Sequence, residues 1–252
     1  MLAIDATTAR WSHDEGDRAG RPLIVLLHGV GSHEGDLIGL APYLPQDYLL
    51  VSLRAPLAHG DGFSWYPLDT PGDPDVAGVD EAARAVLHWL DELGDAHPSV
   101  SLLGFSQGGS LSLQLLRHAP DRFRFAAVLA GFVASDADRG HDEAVAAVRP
   151  SVFYGRGDVD QVIPAAAVQR TEQWLAAHAD AEIAVYPGLA HGISQEELDD
   201  LNAFIGRATS TWTADDPEAE PVEIGTDDDA TPVDDPDDAW LPTTSGASER
   251  PA

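Results

Sequence analysis

The 252-residue sequence predicts an α/β fold, a mostly parallel central sheet with helices on both faces, and three observations carry that prediction. Six short, near-continuously apolar runs have the length and composition of strands covered on both sides. Helical patterns separate them, and alternating strand and helix builds a parallel sheet because each crossover must pass over one face. A glycine-flanked serine stands where one run gives way to a helical pattern, and ligands in such sheets bind at the carboxyl ends of the strands.

Strands are expected at residues 23–28, 48–53, 99–104, 126–130, 151–154 and 182–186, with a weaker alternating stretch at 2–10 as an edge strand. Helices are expected at 36–43, 79–93, 107–118, 164–178 and 195–207. The fourth opens on Pro164, which the first turn tolerates because the N–H that proline lacks has no partner there. From residue 214 onward, 39 residues hold 13 acids, several prolines and few large apolar groups. Such a segment buries too little surface to offset its ordering entropy. The expected organisation is one folded domain at 1–213 and an acidic, disordered tail at 214–252.

Charge is the most unusual bulk property: 43 acids face 14 arginines and no lysine, a formal −29. Nucleic acid and anionic membranes should be repelled. Without the tail, residues 1–213 still carry 30 acids against 13 arginines. Self-repulsion on that scale destabilises a compact chain at low salt, whereas at about 1 M salt the Debye length falls to roughly 3 Å and screens it. The composition suits a salty cytoplasm of the halophilic kind. No apolar run approaches the ~20 residues of a membrane span, and the first residues lack a basic segment followed by an apolar one. A cytoplasmic location without membrane insertion is therefore expected. Oligomeric state is not legible. The chain has no cysteine, which excludes disulfides, thiolate metal sites and a cysteine nucleophile, and leaves serine or threonine for covalent catalysis.

Gly104-Phe105-Ser106-Gln107-Gly108 fits G-x-S-x-G between an expected strand and an expected helix. That context matters more than the match, because a sharp strand-to-helix turn needs small neighbours and lifts the hydroxyl above the sheet. A serine hydroxyl attacks only when a base takes its proton and a third group orients that base. Of the histidines after Ser106, His118 and His178 fall at helix C-termini, where capping is their expected role, and His141 in an acidic loop between strands. His191, in Tyr186-Pro187-Gly188-Leu189-Ala190-His191-Gly192, lies between a strand and a helix and is the candidate base. For the acid, Asp158 and Asp160 compete in Gly157-Asp158-Val159-Asp160-Gln161. Spacing does not separate them.

These segments, with Leu27-His28-Gly29-Val30-Gly31 after the first core strand, resemble the phospholipase/carboxylesterase family of α/β-hydrolases, which includes the acyl-protein thioesterases. The resemblance covers about residues 20–207. It implies the α/β-hydrolase fold for a catalytic domain at 1–213. It selects Asp160, two residues before Val162-Ile163-Pro164, as the triad acid and leaves Asp158 to the turn. The backbone N–H groups of Val30 and Gln107 become the oxyanion hole, with His28 shaping that turn. Phe63-Ser64-Trp65-Tyr66-Pro67 resembles an aromatic segment beside the acyl pocket, which places Trp65 near the substrate. No long insert separates 126–130 from 151–154, so no lid domain is expected and the site should be open.

The resulting expectation is a serine esterase that cleaves small carboxylic esters or thioesters through an acyl-enzyme on Ser106, without metal or organic cofactor. Perhydrolase or lactonase chemistry at the same triad, or a non-catalytic acidic binding protein, are the alternatives, since fold alone does not establish activity.

Overall fold

Alternate side chains of the central strands enter two different cores, one on each face of the sheet, and this is why the strands read as continuous apolar runs. In the computed structural model, which describes residues 2–68, 70, 72–135 and 139–210, Leu23, Val25 and Leu27 join one core. Ile24 and Leu26 join the other. The order along the chain is β1 (Arg10–Trp11), β2 (Leu23–Leu27), β3 (Leu49–Leu53), β4 (Leu57–His59), β5 (Gly62–Ser64), α1 (Val76–Leu93), β6 (Val100–Phe105) and α2 (Gln107–His118). It continues with β7 (Phe123–Leu129), α3 (Arg139–Val148), β8 (Ser151–Gly157), α4 (Ala165–His178), β9 (Asp180–Tyr186) and α5 (Gln195–Ser210). Residues of α1, α2, α3 and α4, among them Trp89, Leu111, Val145 and Trp174, pack into the first core. Leu198, Leu201 and Phe204 of α5 fill the second, together with Leu37 and Leu40.

The seven-stranded sheet runs β1-β3-β2-β6-β7-β8-β9. All of its pairings are parallel except β1 with β3. From β2 the chain first moves outward to β3 and then returns to place β6 on the other side of β2. The strand order therefore reverses between β2 and β6, and the crevice at their carboxyl ends is where such sheets take ligands. Leu27 of β2 pairs with Gly104 of β6 there. The chain leaving β2 enters His28-Gly29-Val30, and the chain leaving β6 enters Ser106.

Several elements differ from expectation for local reasons. The stretch 2–10 is mostly not strand: Asp5 caps a 3₁₀ turn at Ala6–Thr8, and only Arg10–Trp11 pairs with the sheet. Residues Leu37–Tyr43 form a 3₁₀ helix rather than an α-helix, with Pro42 inside it, which lacks the N–H needed to continue a ladder. The first long helix begins at Val76, three residues early, because Asp75 accepts the Ala77 N–H at 3.1 Å as its N-cap. His141, expected in a loop, belongs to α3. That helix is held by Asp142, whose carboxylate takes the Arg117 guanidinium at 2.7 Å and the Trp174 indole N–H at 2.7 Å. The outermost strand β9 is exposed on one side, with Ile183 and Val185 each 42% accessible. A ten-residue helix is the one element between β7 and β8 among the described residues, too little chain for a lid domain. The expected tail at 214–252 lies outside the described residues. Among the described residues, no helix is long and apolar enough to cross a membrane.

Candidate active site

Ser106 sits between β6 and α2 with φ 54° and ψ −115°, a backbone conformation that costs an L-residue on the order of 1–3 kcal/mol. Its neighbours explain how the turn is held. A Cβ on Gly108 would lie 1.9 Å from the Leu27 carbonyl oxygen, and one on Gly104 would lie 2.2 Å from that of Gly108. The N-terminus of α2 is thus pressed against the ends of β2 and β6, and only glycine fits at either position. The Ser106 N–H donates to Leu129 O at 2.9 Å, which ties the turn to β7 as well.

His191 reaches this serine from the loop after β9. Its Nε2 lies 2.9 Å from Ser106 Oγ, and its Nδ1 lies 2.7 Å from Asp160 Oδ2. An ionised carboxylate only accepts, so Nδ1 carries the proton and Nε2 is left to accept one from the serine hydroxyl. Asp160 Oδ1 accepts the N–H groups of Val162 at 2.7 Å and Ile163 at 3.2 Å. Burial pushes the Asp160 carboxyl up, but the hydrogen bond and charge of His191 and those two amides outweigh it and hold it below the usual carboxylate range. The ring of Phe105 backs the imidazole at 4.9 Å between centroids.

Asp158, the competitor for the acid role, faces the other way. Its Oδ1 accepts the Gly188 N–H at 2.7 Å, while its own N–H donates to Tyr186 O at 3.1 Å. The loop that carries Asp160 is thereby fastened to the loop that carries His191. A Cβ on Gly157 would sit 1.8 Å from Leu189 O, which measures how closely the two loops pack.

The expected oxyanion donors flank Ser106. Gln107 follows it directly, and a Cβ on Gly29 would lie 3.4 Å from the Ser106 Cβ, which brings Gly29, the residue before Val30, alongside Ser106. His28 shapes this segment. Its Nδ1 donates to Gly29 O at 2.7 Å, and its Nε2 accepts the Ala55 N–H at 3.2 Å. Burial pushes the imidazole down to about 4, consistent with a neutral ring whose second nitrogen is an acceptor. The same segment carries Glu34, which pairs with both ends of the Arg54 guanidinium at 2.7 and 2.5 Å, an interaction that lowers its carboxyl to about 2.

Trp65, expected near the substrate, is 0% accessible, with its indole N–H donating to His28 O at 2.8 Å, and it supports the loop after β2. The side chain of Gln107, which sequence reasoning passed over in favour of its backbone, is buried against Trp65 and Tyr66. No sequence signal marks it beyond its place inside G-x-S-x-G. Beside Asp160 opens a cavity of about 310 Å³, with Ala130, Ile163 and Val168 on its apolar wall and Arg156 and Glu172 at its polar side. Among the described residues, no group of three or more His, Asp or Glu side chains gathers in a way that could hold a metal ion.

Residues 14–209 match the phospholipase/carboxylesterase family. The chain belongs to that family. It is a hydrolase of the α/β-hydrolase fold. It is 26% identical over 215 residues to acyl-protein thioesterase 1 of Saccharomyces cerevisiae, a match that covers 76% of this chain and 94% of the yeast protein. A probable carboxylesterase of Oryza sativa is 30% identical over 151 residues, covering 56% of this chain and 57% of the rice protein. Among solved structures, the esterase PE8 superposes with a TM-score of 0.67 at 26% identity, covering 82% of this chain and 99% of that one.

Proposed function

We propose that this family member hydrolyses small carboxylic esters and thioesters in two steps through an acyl-enzyme on Ser106. The observation that carries the reading is the unbroken relay from Ser106 Oγ to His191 at 2.9 Å and from His191 to Asp160 at 2.7 Å, set on a strained turn. Ser106 Oγ attacks the acyl carbonyl as His191 Nε2 takes its proton. The N–H groups of Val30 and Gln107 hold the oxyanion, fixed dipoles aimed where negative charge develops. Asp160 stabilises the imidazolium, which then protonates the departing alcohol or thiol. Water, activated by the same imidazole, releases the acid and restores Ser106.

The relatives' names, thioesterase and carboxylesterase, support both leaving groups. Short to medium acyl groups are the preferred substrates, because among the described residues the ten-residue helix α3 is the one element between β7 and β8, and no lid domain enters there to cover a long chain. Hydrolysis of p-nitrophenyl esters and acyl thioesters of graded length, measured at molar KCl, tests this. The expected result is a maximum of kcat/KM at short or medium length for both series. Efficient hydrolysis of long-chain phospholipids with no turnover of short esters contradicts it.

A further inference from the structure

The two backbone amides assigned to the oxyanion come from segments far apart in the chain, and their separation must be held by something other than the sheet alone. A residue in the middle does this. The Gln107 carboxamide is 1% accessible, its Oε1 accepts the Trp65 N–H at 2.9 Å, and its Nε2 donates to Tyr66 O at 2.8 Å. Its orientation is not ambiguous, because a backbone N–H only donates and a carbonyl only accepts. Trp65 in turn donates its indole N–H to His28 O at 2.8 Å, and its ring packs on the His28 imidazole with centroids 5.3 Å apart. His28 is two residues ahead of Val30 and is itself pinned to Gly29 and Ala55. The neighbouring strand residue Phe63 closes the frame from outside. Its N–H donates to Ser32 O at 2.8 Å and its carbonyl accepts the Gly31 N–H at 2.8 Å.

We infer that the Gln107 side chain and the Trp65 indole form a brace that sets the distance between the Val30 and Gln107 amides, and that both are positioning residues for the oxyanion. The inference rests on the hydrolase reading above. Neither side chain touches the substrate. Buried hydrogen bonds suit the task, since an interior polar group without its partner carries the full desolvation penalty and the arrangement resists drift. The brace also explains why a fully buried tryptophan stands where an aromatic near the acyl group was expected: its polar handle is used against a main-chain carbonyl.

Two variants test it, Trp65→Phe, which keeps most of the packing and loses the indole N–H, and Gln107→Met, which keeps the volume and loses both carboxamide bonds. Deleting one oxyanion donor costs roughly 10²–10³ in rate, and misplacing one costs less. Each variant should therefore lower kcat about 10- to 100-fold with KM changed less than about threefold. The inhibition constant of a trifluoromethyl ketone matched to the best ester should weaken by the same factor as kcat/KM, because the ketone forms the tetrahedral oxyanion. Since both changes act on one hole, the double variant should lose less than the product of the two single losses. Trp65→Phe that raises KM and leaves kcat and ketone binding unchanged overturns the inference, since Trp65 would then contact substrate. So does full activity in Gln107→Met, or a lower kcat with unaltered ketone affinity. Fluorophosphonate labelling of Ser106 in both variants separates the two layers of the argument: unlabelled wild-type protein sinks the hydrolase reading and the brace together, whereas labelled variants with unimpaired ketone binding sink the brace alone.

Discussion

At the scale of single residues, the contest between Asp158 and Asp160 shows where sequence reading stops. Both sit in one turn, two residues apart, and no spacing rule tells which carboxylate points at the histidine. The structure separates them by partner: Asp160 meets His191 Nδ1, and Asp158 meets the Gly188 N–H. Asp160→Asn should lower kcat by about 10⁴, the loss that follows when the base is held in the wrong tautomer. Asp158→Asn retains an acceptor for Gly188 and should lose far less. Steady-state kinetics of the two variants check this, and the reverse ranking would remove Asp160 from the role given to it. Ser106 and His191 were legible because a motif and its flanking elements name them. The burial of Trp65 was not legible, because an aromatic in a loop gives no sign of which way its ring points.

Among the elements, the parallel strands were the most legible, since burial on both faces writes a continuous apolar run at 23–27, 49–53 and 100–105. The helix α3 was not legible, because Val145 is the one residue it adds to the buried core among those described, and its docking relies on Asp142 meeting Arg117 and Trp174. The helix α5 hides a different feature. Glu197 in its first turn is 0% accessible, pressed against Gly155 of β8, and neither of its carboxylate oxygens has a hydrogen-bond partner among the described residues. Glu196 and Asp200 flank it on α5, and Tyr186 lies on β9. Burial pushes the Glu197 carboxyl up to about 8. Between the ordinary glutamate range and about pH 8 the folded chain holds a proton that the unfolded chain has released, so stability falls as pH rises through that window. Glu197→Gln removes this loss. The Tm of Glu197→Gln relative to wild type should increase steadily from about pH 5 to pH 8. A difference that is constant over the window contradicts the assignment.

For the molecule as a whole, the excess of acids is the property that the fold does not explain. Among the described residues, Arg54, Arg84, Arg117, Arg122, Arg156 and Arg207 each pair with a carboxylate. Those pairs consume much of the positive charge of a 1–213 segment that carries 30 acids against 13 arginines. Two like charges about 4 Å apart repel by roughly 1 kcal/mol in water, which many such pairs make appreciable beside a stability of roughly 5–15 kcal/mol. Both the full chain and a 1–213 truncation should lose Tm as KCl falls from about 1 M to 0.1 M, where the Debye length grows to roughly 10 Å. Activity at molar salt should survive the truncation, because every proposed site residue lies before residue 192. Equal Tm at both salts in the truncated chain would remove the salt-adapted reading, and loss of activity on truncation would move the domain boundary.

The central claim is that Ser106 becomes acylated, and intact-protein mass spectrometry with peptide mapping addresses it most directly. Wild-type protein treated with a fluorophosphonate should gain one adduct, mapped to the peptide that contains Ser106. Ser106→Ala should gain none and should lose ester turnover by several orders of magnitude while keeping its Tm, since the triad acts as a unit. An adduct on another residue, or near-normal turnover in Ser106→Ala, would contradict the account.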